Sequence, residues 1–198
     1  MKREEIEWSQ FYWFDSSRPD LKRVLLIGDS IVAGSREYTA NKLAGKATVA
    51  AFSTSKIVGD PAIHRELMLA FSDYPIDFVY FNNGLHGLDC DDAFYRRGLE
   101  EFVDFLQLTG HARLCWRNST PITVNGNPAK FDPRNATVTR RNAIAAEVMA
   151  ARNIPVDDMY AFLAGRTELC AGDGFHYTPE GSRLIGEHSA ETISSLWL

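Results

Sequence analysis

Apolar residues along the chain fall into short unbroken runs, and between them the apolar spacing turns helical. Val24-Leu25-Leu26-Ile27 stops abruptly at Gly28, the pattern of a strand buried on both faces. Thr48 to Phe52 is a weaker second strand, Ile76 to Phe81 a third and Ala112 to Trp116 a fourth. Ile154-Pro155-Val156 reads as a short fifth strand at an edge, where proline is tolerated. Asp91 is placed to cap a helix whose apolar positions Phe94, Leu99, Phe102, Val103 and Leu106 recur at helical spacing, with Gly110 ending it. Thr137 to Asn153 is alanine-rich and helical, and Thr178-Pro179 opens a terminal helix through Leu184, Ile185, Ile193 and Leu196. The aromatic cluster Trp8, Phe11, Tyr12, Trp13 and Phe14 is expected to be a helix laying its aromatic side on the sheet, rather than a sugar-binding face.

Alternation of strands and helices implies a mostly parallel sheet covered on both faces. The stretch Asn118 to Asn135, rich in Pro, Asn and Gly, is the longest loop. In such folds the loops at the strand ends build the site.

Composition narrows the function. The 198 residues fit one domain; 45% are apolar and 24% charged, ordinary values for a globular chain. A net charge of −5, with no run of basic residues, argues against a nucleic-acid surface. Three cysteines (Cys90, Cys115 and Cys170) without CxxC spacing give neither a disulfide framework nor a standard zinc site. The N-terminus is acidic and polar, unlike a signal peptide, and no apolar run approaches the ~20 residues of a membrane span. A cytoplasmic location without membrane association is the expectation.

Candidate chemistry gathers at three places. Gly28-Asp29-Ser30 follows the first strand, where a helix start would offer free N–H groups to a developing oxyanion. Asp173-Gly174-Phe175-His176 precedes the last helix; a serine needs an imidazole to take its proton, and the imidazole needs a carboxylate to fix its tautomer. The loop Asn82-Asn83-Gly84-Leu85-His86-Gly87 follows the third strand and carries amide and imidazole donors. Gly59, after the second strand, could add a backbone N–H to the same cradle.

These blocks, in this order, resemble the SGNH (GDSL-type) hydrolases over nearly the whole chain, from about Leu21 onward. The segment Trp116 to Pro121 and the helix with Arg140-Arg141-Asn142 belong to the resemblance too. It implies a flavodoxin-like α/β/α sandwich on a five-stranded sheet, with 1–198 as a single domain and 1–20 as an N-terminal helical extension. It implies Ser30 as nucleophile, His176 as base and Asp173 as orienting carboxylate, with N–H groups of Ser30 and Gly59 in the oxyanion hole. The family carries GxND after its third strand. Register puts Gly84 on the glycine and His86 on the asparagine, whereas chemistry favours Asn83, so all three remain oxyanion candidates. Asp29, Trp116 and Arg117 are the candidates for substrate contact. The implied activity is hydrolysis of small acyl esters, including O-acetyl groups on carbohydrates, with no metal or organic cofactor. Acyl transfer on the same triad and a catalytically silent binding module stay open as alternatives.

Overall fold

The computed structural model describes residues 4–198, so the first three residues of the expected N-terminal extension lie outside the described part. Six strands form the main sheet. They are β1 (Ser9–Phe14), β2 (Arg23–Gly28), β3 (Thr48–Thr54), β4 (Phe78–Phe81), β5 (Arg113–Arg117) and, after the hairpin strands β6 (Thr123–Val124) and β7 (Asn127–Phe131), β8 (Val156–Asp157). The sheet order is β1-β3-β2-β4-β5-β8. Every pairing is parallel except that of β1 with β3. Numbering the five parallel strands alone gives the order 2-1-3-4-5, the flavodoxin-like winding, whose reversal point lies between β2 and β4.

Side-chain alternation explains the layering. Leu25 and Ile27 of β2, Phe52 of β3, and Val79 and Phe81 of β4 face one cluster, shared with α2 (Pro61–Asp73), α3 (Asp92–Gly110) and α4 (Asn135–Ala150). Val24, Leu26, Val49, Phe78 and Tyr80 face the other, shared with α1 (Ser30–Leu43) and α6 (Pro179–Trp197). Strands buried on both faces need apolar residues at every position, which is why their runs are unbroken. A short α5 (Met159–Leu163) and a 3₁₀ turn (Thr167–Leu169) lie between β8 and α6. Asp91 caps α3 through the Phe94 N–H at 2.7 Å, and Thr178 caps α6 through Gly181 N–H at 3.1 Å. At the end of β8, Asp157 accepts from the Tyr80 hydroxyl and pairs with His188 at 2.8 Å, fastening α6 to the sheet.

The N-terminal aromatics form a strand, not the expected helix. Phe11 and Trp13 pack on the α2–α3 side and Phe14 on the opposite side, so the run alternates with a period of two. Phe11 lies directly against Phe52, and aromatic residues suit a pleated, half-buried surface. This strand makes the sheet six-stranded instead of five. Two further differences are local. The last strand begins at Val156, one residue past the proline, and Pro155 contributes only its carbonyl, to Trp116 N–H. The long loop Asn118–Asn135 contains the β6–β7 hairpin, turned at Gly126.

Candidate active site

Ser30 is the first residue of α1, directly beyond β2. Asp29 caps that helix, its Oδ1 accepting the Ile31 N–H at 2.9 Å. The Ser30 N–H therefore belongs to the first turn, whose donors have no intrahelical acceptor. Ser30 Oγ is 2.8 Å from His176 Nε2, and His176 Nδ1 is 2.6 Å from Asp173 Oδ2. An ionised carboxylate only accepts, so Nδ1 carries the proton and Nε2 presents its lone pair to the serine hydroxyl.

The loop holding His176 and Asp173 is pinned at several points. Asp173 Oδ1 accepts from the N–H groups of Phe175 at 2.9 Å and His176 at 2.8 Å. Burial works to raise the Asp173 carboxyl, but these bonds and the His176 ring outweigh it and hold the group down at about 2. Gly172 and Gly174 carbonyls accept from Gly126 and Thr123 of the hairpin. Gly174 has φ +92°, and a Cβ there would run into the Thr123 carbonyl. Only glycine combines that turn with that contact.

The cleft beside Ser30 holds about 1000 Å³ and lies at the reversal point of the sheet. Ser30, His176 and His86 all line it. Leu85, Leu88 and Phe175 supply apolar walls, while Glu4, Glu5, Asp89 and Arg134 supply charge. Arg134 is held by Asp132 at 2.9 Å and lies over the Phe175 ring. His86 Nδ1 is 2.6 Å from Glu4 Oε1, and the edge of Trp8 meets the same ring.

Of the remaining oxyanion candidates, Asn83 is committed elsewhere. It is buried, with Oδ1 accepting from Val58 N–H at 3.0 Å and Nδ2 donating to the Lys56 carbonyl at 2.7 Å. Its amide braces the β3–α2 loop and does not line the cleft. Gly84 is buried beneath the loop, and a Cβ on it would collide with Ser119. Gly59, at φ +88°, stands just ahead of Asp60, the cap of α2; its peptide lies against Gly98 of α3, where a Cβ would come within 2.7 Å of Gly59 N.

The three residues expected to touch substrate do not line the cleft. Asp29 is 2% exposed and serves as the α1 cap. Trp116 is fully buried against Phe81, and Arg117 is 2% exposed at the end of β5. A strand-end position marks the correct edge of the sheet, but the layer of loops above it covers these side chains.

Other buried amides tie those loops together. Asn82 donates to the Arg117 carbonyl at 2.7 Å, and Asn142 clamps both the N–H and the carbonyl of Ser119 at 2.9 Å. Arg141, fully buried on α4, donates to the carbonyls of Gly84 (3.1 Å), His86 (2.8 Å) and Gly87 (2.6 Å). Burial lowers Arg141 from the ordinary guanidinium value, against the pull of Tyr95, Cys90, Asp92 and Asp89. The sequence contains Arg141 plainly, but nothing in its spacing connects it to a loop over fifty residues away. The cleft walls Glu4, Arg134 and Phe175 were equally unmarked, although Phe175 sits inside the Asp173–His176 block.

No protein-family model matches the chain, and no curated protein does so. Solved structures do. An acetyl xylan esterase, AlAXEase, superposes with TM-score 0.70 at 15% identity, over 86% of this chain and 99% of the other. A protein from Slackia heliotrinireducens described as an SGNH hydrolase gives 0.68 at 24%, over 87% and 99%. The aryl esterase of M. smegmatis gives 0.70 at 16%, over 88% and 99%. The chain has the SGNH-hydrolase fold, a three-layer sandwich around a mostly parallel sheet.

Proposed function

We propose that the chain hydrolyses carboxylic esters of small acyl groups through a Ser30–His176–Asp173 triad. The observation that carries this reading is the unbroken relay from Ser30 Oγ through His176 to Asp173, with separations of 2.8 and 2.6 Å, opening on a cleft. His176 Nε2 takes the hydroxyl proton as Ser30 Oγ forms a bond to the ester carbonyl carbon. The resulting oxyanion is received by the Ser30 N–H and by the cleft wall that carries the His86 ring. The His86 Nδ1 is held by Glu4, which fixes the ring at the cleft. His176 then gives its proton to the departing alcohol, leaving an acyl group on Ser30. A water that loses its proton to His176 attacks this acyl-enzyme, releasing the acid and restoring the serine.

For the alcohol portion we favour carbohydrates bearing O-acetyl groups. Neighbours of the same fold include acetyl xylan esterases, and the cleft sets Phe175, Leu85 and Leu88 beside the acceptors Glu5 and Asp89, which suits an alcohol rich in hydroxyls. The test is a fluorophosphonate probe applied to the native chain and to Ser30→Ala. Labelling of the native protein alone is expected; labelling of both or of neither would remove Ser30 as an activated nucleophile.

A further inference from the structure

The buried guanidinium of Arg141 has no carboxylate partner among the described residues within ion-pair distance. Its acceptors are instead backbone carbonyls of one loop, at Gly84, His86 and Gly87, with that of Cys90 at 3.5 Å. The Tyr95 ring lies 4.6 Å from the guanidinium carbon, and the Tyr95 hydroxyl donates to the Asn83 carbonyl just upstream at 2.8 Å. The two terminal nitrogens of Arg141 meet these carbonyls while Nε is buried without a partner among the described residues, and an apolar side chain in the same place would leave the carbonyls without donors.

The arrangement has a geometric consequence. In a trans peptide the C=O and the following N–H point in opposite directions. With the carbonyls of Gly84, His86 and Gly87 gathered on Arg141, the N–H groups of Leu85, Gly87 and Leu88 are turned away from it. Among the described residues none of these three N–H groups has an acceptor. All three residues line the cleft that contains Ser30 and His176. Aligned N–H groups of this kind form a concavity for anionic or carbonyl oxygen, and a fixed positive charge behind them strengthens it.

We propose that Arg141 is a positioning residue that orders the Leu85–Leu88 loop as an oxygen-binding wall, setting both its N–H groups and the His86 ring against the oxygen that becomes negative during ester cleavage. The inference rests on the hydrolase reading above.

The experiment compares the native chain with Arg141→Lys and Arg141→Met in p-nitrophenyl acetate hydrolysis, phenylboronate inhibition and thermal unfolding, with rates normalised to Ser30 sites titrated by fluorophosphonate. For Arg141→Lys, kcat is expected to fall about tenfold or more with KM little changed, and the affinity for the tetrahedral boronate to fall by a similar factor. A lower melting temperature with native kcat per titrated site and native boronate affinity would overturn the proposal, leaving Arg141 a structural brace. Should Arg141→Met fail to fold, Arg141→Lys decides alone. If the native chain neither turns over ester nor takes the fluorophosphonate, the hydrolase reading fails by itself. Backbone amide resonances then judge the loop. Those of Leu85, Gly87 and Leu88 should move on adding acetate to the native protein and not to Arg141→Lys; equal movement in both, or in neither, refutes the wall.

Discussion

The hydroxyl of Ser30 and the Nε2 of His176 meet at 2.8 Å although 146 residues separate them in the chain. Each is delivered by a helix start: Ser30 opens α1 behind the Asp29 cap, and His176 stands two residues ahead of the Thr178 cap of α6. The two helices pack on the same face of the sheet, where Thr39 of α1 donates to the Gly186 carbonyl of α6 at 3.0 Å. The contact between these helices and the hairpin bonds to the Gly172–Gly174 loop together hold the two side chains in reach of each other.

Replacing Asp173 by Asn tests the orientation of the base. The new Oδ1 can still accept the N–H groups of Phe175 and His176, so the loop keeps its shape. The amide NH₂, however, faces Nδ1 and drives the ring proton to Nε2, which then cannot take the serine proton. Turnover is expected to fall about 10⁴-fold with little change in melting temperature, read by ester kinetics and calorimetry.

His86 and Asn83 should separate into different phenotypes. His86→Ala removes a donor from the cleft and should raise the barrier by about 3 kcal/mol without loss of stability, while His86→Asn, a neutral donor, should recover part of the rate. Asn83→Ala strands the Val58 N–H and the Lys56 carbonyl in the interior and should destabilise the fold by about 2 kcal/mol. Steady-state kinetics beside urea unfolding would sort the two.

The rate against pH has a defined sign. Asp173 is held below its ordinary value, so the stabilisation tied to its charge is present above the ordinary carboxylate range and is lost as pH falls towards about 2. Across neutral and mildly acid pH it stays ionised. The acid limb of kcat/KM should therefore show a slope of about one, from a single proton on the base. A slope of about two in that range would mean that Asp173 titrates with it.

Gly174→Ala should cost both stability and activity. Its φ of +92° disfavours any side chain, and the added methyl meets the Thr123 carbonyl, so the loop carrying His176 must shift. A loss of more than about 1 kcal/mol in unfolding free energy is expected, together with a fall in kcat per folded molecule.

The parallel strands and the meeting of Ser30, His176 and Asp173 were legible because both leave local marks: unbroken apolar runs in one case, Gly28-Asp29-Ser30 and the Asp173–His176 block in the other. The aromatic run at residues 8–14 has a bulk that fits either a helix or a strand. Only the pairing with β3, from Ser9 opposite Thr54 to Phe14 opposite Val49, decides it. Asp29, Trp116 and Arg117 were drawn towards the substrate by their strand-end positions, whereas their burial depends on loops folded over them from elsewhere. The choice between Asn83 and His86 was open for a similar reason, since an asparagine's partners lie on another strand's loop.

The stretch before β1 brings Glu4 and Glu5 to the cleft, with Glu4 on His86 and Trp8 against the same ring. Residues 4 and 5 therefore line the same cleft as Ser30 and His176. A tag fused near Glu4, or a proteolytic cut ahead of Ser9, would act as an active-site lesion, with ester turnover lost before the sheet loosens.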